Sequence, residues 1–283
     1  MKSCGPTPFR ELNEVLARLV AGIIEILGPN LVGVYLQGSF AVGDFDEHSD
    51  LDFIVLIESD LTALNVDLLN ELHLKSYNLN FEWAKHLEGS YFPRHILTEE
   101  PGQPVWYLDH GHTTLERSAH CNTHVVRWIL VHHGIALHGP PASAVYLHVS
   151  DDALRTEILQ TLLGWGQEIL NNPKGYANRF YQGFIVLSYC RMLQDLEQGI
   201  VSSKKAGADW AKANLPVEWH GLIDRAWSCR PNPALSVKAP ANAEDFAATL
   251  DFVRFTTELA RQAYGRLARP ADTLLYTSLE RDV

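Results

Sequence analysis

Cysteine is scarce: its four copies, Cys4, Cys121, Cys190 and Cys229, are widely scattered and have none of the close spacings of a zinc site. A disulfide scaffold is therefore not expected, and a reducing compartment is the natural setting. Long apolar runs are absent too. None reaches the roughly 18 residues that a membrane span requires, and the N-terminus has no basic stretch leading into an uninterrupted hydrophobic one. A cytoplasmic protein without membrane contact is expected. Positive charge is also in short supply, with 23 Lys and Arg against 34 Asp and Glu and a formal net charge of -11. This argues against a nucleic-acid backbone as partner, because that contact depends on Lys and Arg neutralising phosphates. The same acidity suits a small cationic ligand, although net charge speaks to steering and not to a pocket.

The remaining composition is that of a globular chain: 283 residues, 46% of them hydrophobic, enough for one large domain or two modest ones. From Phe9 to Leu27 apolar residues recur at helical spacing and stop at Gly28-Pro29, which predicts an amphipathic first helix. Strands are expected at about 31–37 and 51–57, a helix near 61–75, a strand around 81–91 and a helix over 120–133. Gly139-Pro140-Pro141 punctuates the end of this part. Beyond it come long helical runs at 151–171, 178–198, 203–214, 217–228 and 243–267. The expected fold is α+β: a mixed sheet flanked by helices over residues 1–148, then an all-helical domain over 149–283. A ligand is expected between the two, where pockets are often found.

The most informative stretch runs from Val34 to Leu56. An apolar run breaks at Gly38-Ser39, and after the polar interval Asp44-Phe45-Asp46-Glu47-His48-Ser49 a second apolar run opens with Asp50-Leu51-Asp52. Side chains two apart on a strand share a face at about 7 Å, so Asp50 and Asp52 can converge while Leu51, Phe53 and Val55 point the other way. A hard cation such as magnesium is typically held by one or two carboxylates plus substrate phosphates. Upstream, Gly38 permits a tight turn, and Ser39 adds a hydroxyl at a helix N-terminus, where free N–H groups favour an anion. Either motif alone is common; the two in this order point to chemistry on a metal-bound triphosphate.

At these residues the chain resembles the DNA polymerase β-like nucleotidyltransferase superfamily, whose signature is a Gly-Ser turn followed by Asp-x-Asp on the next strand. It is most similar to the adenylyltransferases that modify streptomycin and spectinomycin. That likeness extends to Leu87-Glu88, to Gly134–Pro140, to Arg191 and to the run from Gly199 to Pro216. The resemblance implies magnesium on Asp50 and Asp52, with Glu88 as the third carboxylate of the metal centre and the general base. It implies nucleotide-phosphate contacts from Ser39 and Ser49 beside Gly38, and triphosphate contacts from Lys204, with Arg191 facing the same cleft. Glu82 is a rival to Glu88 on sequence alone. The expected reaction is transfer of AMP from ATP to a hydroxyl of a small molecule of the aminoglycoside type, with release of pyrophosphate, by a monomer. The alternatives are a nucleotide-binding regulatory or antitoxin-like module, or a transferase acting on a protein or tRNA.

In the streptomycin-modifying relatives, a tryptophan and acidic residues just before the helix of Arg191 hold the cationic drug. Here Asn171–Tyr181 contains neither aspartate nor glutamate, and Trp165 and Glu168 are the nearby substitutes. The histidines at 110, 112, 120, 124, 132, 133 and 138 lack a coherent metal-ligand spacing and are expected at the surface or at helix ends.

Overall fold

The computed structural model of the chain describes residues 5–45, 49–228, 230 and 239–265. Asp46, Glu47 and His48 of the motif interval, with Cys4, Cys229 and residues 266–267 of the last expected helix, lie outside the described residues. The structure divides into two units at Val149 and Ser150.

The first unit begins with α1 (Arg10–Leu27), which buries Leu12, Val15, Leu16, Leu19, Ile23 and Leu27, the stripe that a 3.6-residue period dictates. Gly28, at φ 47°, ends it. There follow β1 (Leu31–Leu36), the one-turn helix α2 (Gly38–Val42), β2 (Leu51–Ile57) and α3 (Ala63–Tyr77). A reciprocal capping box between Thr62 and Asn65 starts α3. Next come β3 (Leu87–Pro93), β4 (Val105–Leu108), β5 (Leu115–Ser118), α4 (His124–His133) and β6 (Ile135–His138). The six strands lie in the order β5-β4-β3-β2-β1-β6. Only β2 and β3 pair in parallel, joined through α3 as a parallel pair requires, so the sheet is mixed as expected.

Alternation along the strands divides the core between the two faces of the sheet. Val34, Leu36, Leu51, Phe53, Val55 and Ile57 join α1 and Leu69 of α3 on one face. Tyr35, Ile54, Leu56, Phe92, Tyr107 and Leu130 of α4 fill the other. Asp52 has the parity of Ile54 and Leu56 and thus opens onto the second face, at the end of the sheet where β2 and β3 begin.

Three segments depart from expectation. Residues 82–85 form a 3₁₀ turn, and the strand starts only at Leu87. Phe81 and Trp83 alternate as strand residues do, but Trp83 is drawn into an aromatic cluster with Phe9 and Phe40, which curls the chain before the sheet begins. The helix expected from 120 starts at His124, capped by the Thr123 side chain, while Ala119 to Asn122 form a turn. The short strands β4, β5 and β6 had no separate forecast; four residues each give too little alternation to read.

The regular elements among the described residues of the second unit are helices: α5 (Asp151–Asn171), α6 (Arg179–Gln198), α7 (Lys204–Asn214), α8 (His220–Ser228) and α9 (Ala243–Tyr264), with one isolated bridge between Asn178 and Pro240. Ser150, Asn178, Ser203 and Asn242 each cap the helix that follows through the side-chain oxygen. The second half of α6 is almost wholly buried, making it the central helix of the unit. Among the described residues of the chain no helix is long and apolar enough to cross a membrane.

Two buried charges hold parts of this fold. Arg127 of α4, 7% exposed, donates to the carbonyls of Ile96 and Glu99 and to Oδ1 of Asn122 at 2.8–2.9 Å, tying the helix to the segments before and after the β4–β5 hairpin. Removing the guanidinium leaves several acceptors dry, so Arg127→Met should cost about 3–5 kcal/mol in urea unfolding. Asp195 of α6, 3% exposed, accepts from the backbone N–H and hydroxyl of Ser202 at 2.8 and 2.5 Å. Burial pushes its carboxyl up to about 6, against the pull of Arg191 and of those hydrogen bonds. The folded value lies above the unfolded one, so the native state binds this proton more tightly. Its stabilising share is complete below pH ~4 and is lost as pH rises through about 6. Asp195→Asn should flatten that decline in stability between pH 4 and 7, worth about 2 kcal/mol.

Candidate active site

Gly38 is where the site starts. It has φ 63°, a conformation that L side chains rarely adopt, and a Cβ there would run into the Asp52 carboxylate. The turn and the aspartate strand are thus in direct contact, fastened by the Gln37 N–H donating to the Asp52 carbonyl at 3.0 Å. Ser39 lies in the first turn of α2, and its carbonyl accepts from Gly43 and Asp44 as the helix closes. Ser49 and Asp50 lie immediately before β2, half-buried.

The register of the parallel pair puts Asp52 beside Glu88. Neighbouring strands are about 4.8 Å apart, so the two carboxylates share one face and one end of the sheet. Here the two rival glutamates separate: the Glu88 side chain is 14% exposed and flanks Asp52, while that of Glu82 is 76% exposed on the preceding turn. Tyr107 of β4 donates its hydroxyl to Glu88 at 2.8 Å and stands 3.1 Å from Asp109. Burial first, and then these carboxylates, raise the Tyr107 hydroxyl far above the usual phenol range, so it remains a donor.

Two histidines complete the surroundings. His110 Nε2 is 3.1 Å from Asp50 Oδ1, and His120 Nε2 is 3.3 Å from Glu88 Oε1. The hydrogen bond to Asp50 holds His110 above the ordinary imidazole value despite burial, and the one to Glu88 does the same for His120; the charges of the surrounding carboxylates add to both. The carboxylates of Asp50, Asp52, Glu88 and Asp109 thus favour the protonated form of one or both rings. Carboxylate oxygens are the donors a hard divalent cation takes, and the glycine turn keeps the space beside Asp52 clear of side chain, while the Asp50 carboxylate is grouped with His86 and His110 and not with Asp52 or Glu88.

Tyr107, Asp109 and the carboxylate contacts of His110 and His120 were not foreseen; His120 is at the surface as expected, while His110 is partly buried. The run Val105–Leu108 is too short to read as a strand, and only the β3–β4 pairing brings Tyr107 to Glu88. His120 and His124 do not share a helical face, because the helix begins at His124.

Within the helical unit, Arg191 lies on α6 and Lys204 opens α7. Gly207 packs so closely on α6 that a Cβ would lie 2.5 Å from the Arg191 Cα. Lys204, one turn before Gly207, is 4.4 Å from the ring centre of Phe184, which is two turns before Arg191 on the same face of α6. The two cations are therefore brought to one side of the α6–α7 pair. Nearby, Trp165 approaches Tyr176, Phe184 and Tyr189, and Glu168 accepts from the Tyr176 hydroxyl at 2.5 Å.

Comparison with known proteins adds to this geometry. Residues 18–97 match the family model of the nucleotidyltransferase domain, and residues 144–253 match that of the aminoglycoside adenylyltransferase C-terminal domain. A spectinomycin 9-adenylyltransferase of Staphylococcus aureus is 25% identical over 213 residues, spanning 71% of this chain and 78% of the relative. An aminoglycoside (3'') (9) adenylyltransferase of Shigella flexneri is 24% identical over 236 residues, spanning 75% and 83%. The crystal structure of the spectinomycin adenyltransferase AAD(9) from Enterococcus faecialis, solved with ATP and spectinomycin, superimposes with a TM-score of 0.65 at 15% identity, over 87% of this chain and 98% of that one. That likeness is one of fold. With a nucleotidyltransferase domain matched in one unit, an aminoglycoside adenylyltransferase C-terminal domain matched in the other, and relatives named for the same activity, the chain is an adenylyltransferase of the nucleotidyltransferase superfamily.

Proposed function

We propose that this enzyme transfers AMP from ATP to a hydroxyl of an aminoglycoside-type antibiotic, such as spectinomycin, and releases pyrophosphate. The observation that carries the reading is the apposition of Asp52 and Glu88 across β2 and β3, with Asp50 two residues upstream and Gly38 pressed on Asp52. Asp50, Asp52 and Glu88 would hold magnesium. When bound, the cation supplies Lewis-acid polarisation of the α-phosphate and neutralises the triphosphate. Gly38, Ser39 and Ser49 border the nucleotide phosphates through backbone N–H groups and hydroxyls.

Glu88 accepts the proton of the acceptor hydroxyl, whose oxygen then attacks the α-phosphorus in line with the departing pyrophosphate. The Tyr107 hydroxyl engages Oε1 of Glu88, leaving Oε2 to face both the cation and the substrate hydroxyl. Arg191 and Lys204 offer the charge that pyrophosphate needs as it leaves. The relatives' names support the acceptor class. On this chain Glu168 and the Trp165 aromatic group are proposed to receive the cationic drug, replacing the acids missing from 171–181. With ATP as co-substrate, cytoplasmic residence belongs to the same proposal.

The test is mass spectrometry of spectinomycin and streptomycin incubated with the full chain, ATP and magnesium. Appearance of an AMP adduct supports the reading; ATP binding with no transfer to any acceptor refutes it in favour of a regulatory module. Asp50→Asn should cut turnover by roughly a hundredfold or more, corresponding to about 3 kcal/mol of transition-state stabilisation. Glu88→Gln should lose a general base, lowering kcat roughly a hundred- to ten-thousand-fold. Glu168→Gln should raise KM for the cationic acceptor about tenfold, near 1.4 kcal/mol, with KM for ATP unchanged. Gly38→Ala should cost about 1–2 kcal/mol of stability through its backbone alone and lower kcat as well, because the added methyl displaces Asp52.

A further inference from the structure

We propose that Asp50, His86 and His110 form a second cation site, selective for zinc-class transition ions over magnesium, which shares Asp50 with the magnesium centre. The three residues each present one ligand atom, and these atoms lie within 4.8 Å of one another. His110 Nε2 is at the centre, 3.1 Å from Asp50 Oδ1 and 3.0 Å from His86 Nδ1. Bonds of 2.0–2.1 Å to a tetrahedral ion put neighbouring ligand atoms about 3.3 Å apart, so the two separations from His110 need change by only a few tenths of an ångström, and that between Asp50 and His86 is within 4.8 Å.

The hydrogen bonding favours the same arrangement. A single Nε2 hydrogen on His110 faces two acceptors and can serve neither fully, whereas an ion among the three would engage a lone pair from each. On the far side of His86, Nε2 is 3.4 Å from Glu82 Oε1. A carboxylate on the outer nitrogen selects the tautomer whose Nδ1 lone pair points at the ion, the usual second tier of a histidine-metal site. Glu82, the rival base on sequence grounds, thereby finds a different role.

Two imidazoles and one carboxylate suit a borderline ion better than magnesium, which prefers oxygen throughout. All three side chains are partly exposed, which leaves a route for the ion and a fourth position for water. The other mixed group, Glu88 with His120 and Cys121, offers less. Burial pushes the Cys121 thiol up to about 12, so no thiolate is at hand. Because Asp50 cannot serve both ions in full, zinc at the new site would antagonise magnesium; this consequence alone rests on the proposed function.

The experiment is calorimetric titration of the metal-free full chain with zinc chloride, without nucleotide, repeated with cobalt(II) to read tetrahedral geometry from its visible spectrum. One ion per chain is expected. Binding should weaken by more than about tenfold in His86→Asn and in His110→Asn, and by about tenfold in Glu82→Gln. Asp52→Asn and Glu88→Gln should bind zinc as the parent does. Wild-type zinc affinity in both histidine variants, or loss of binding in Asp52→Asn or Glu88→Gln instead, overturns the proposal. In magnesium-supported transfer assays, His86→Asn should keep its basal rate and require about tenfold more zinc for the same inhibition. If no acceptor is modified at all, the functional reading fails while the zinc isotherm still decides the site.

Discussion

Two carboxylates of like charge, held beside one another by the hydrogen bonds of adjacent strands, are the constraint around which this enzyme is arranged. Asp52 and Glu88 cannot move apart without breaking the β2–β3 register, because each is fixed at the Cα level by the parallel pairing. Strand pairing thus fixes two carboxylates on one face at one end of the sheet. The neighbouring groups respond: the Asp50 hydrogen bond raises the proton affinity of His110, the Glu88 hydrogen bond that of His120, and burial, with Glu88 and Asp109, keeps the Tyr107 phenol protonated.

The hydrophobic core determines where that charge emerges. Leu51, Phe53, Val55 and Ile57 are committed to the face covered by α1 and α3, which leaves Asp52 no choice but the other face. There the core of Tyr35, Ile54, Leu56 and Phe92 ends before the carboxylates begin, and Arg127 binds α4 and the Asn122 turn to that core. Packing on one side of the sheet therefore orients chemistry on the other.

Much of this was legible in the sequence, and the reason is local. The stripe of α1, the apolar runs of β1 and β2, the Gly-Ser turn and the helix caps of the second unit are all written within a few residues of where they act. The mixed sheet and the helical second unit followed from such signals. What escaped depended on pairing between distant segments. His86, His110 and Asp50 meet from three stretches of chain, and Tyr107 reaches Glu88 only once β4 has docked on β3. Trp83 shows the opposite failure: its alternation with Phe81 imitates a strand, but the pull of Phe9 and Phe40 outweighs it.

Gly207 carries a consequence for how this enzyme can vary. Its hydrogen is all that separates α7 from the backbone of α6 at Arg191, so any side chain there would lever α7 outward and take Lys204 along. The cation's location is thus inherited from a helix–helix spacing. A substitution at Gly207 would therefore move Lys204 without touching it.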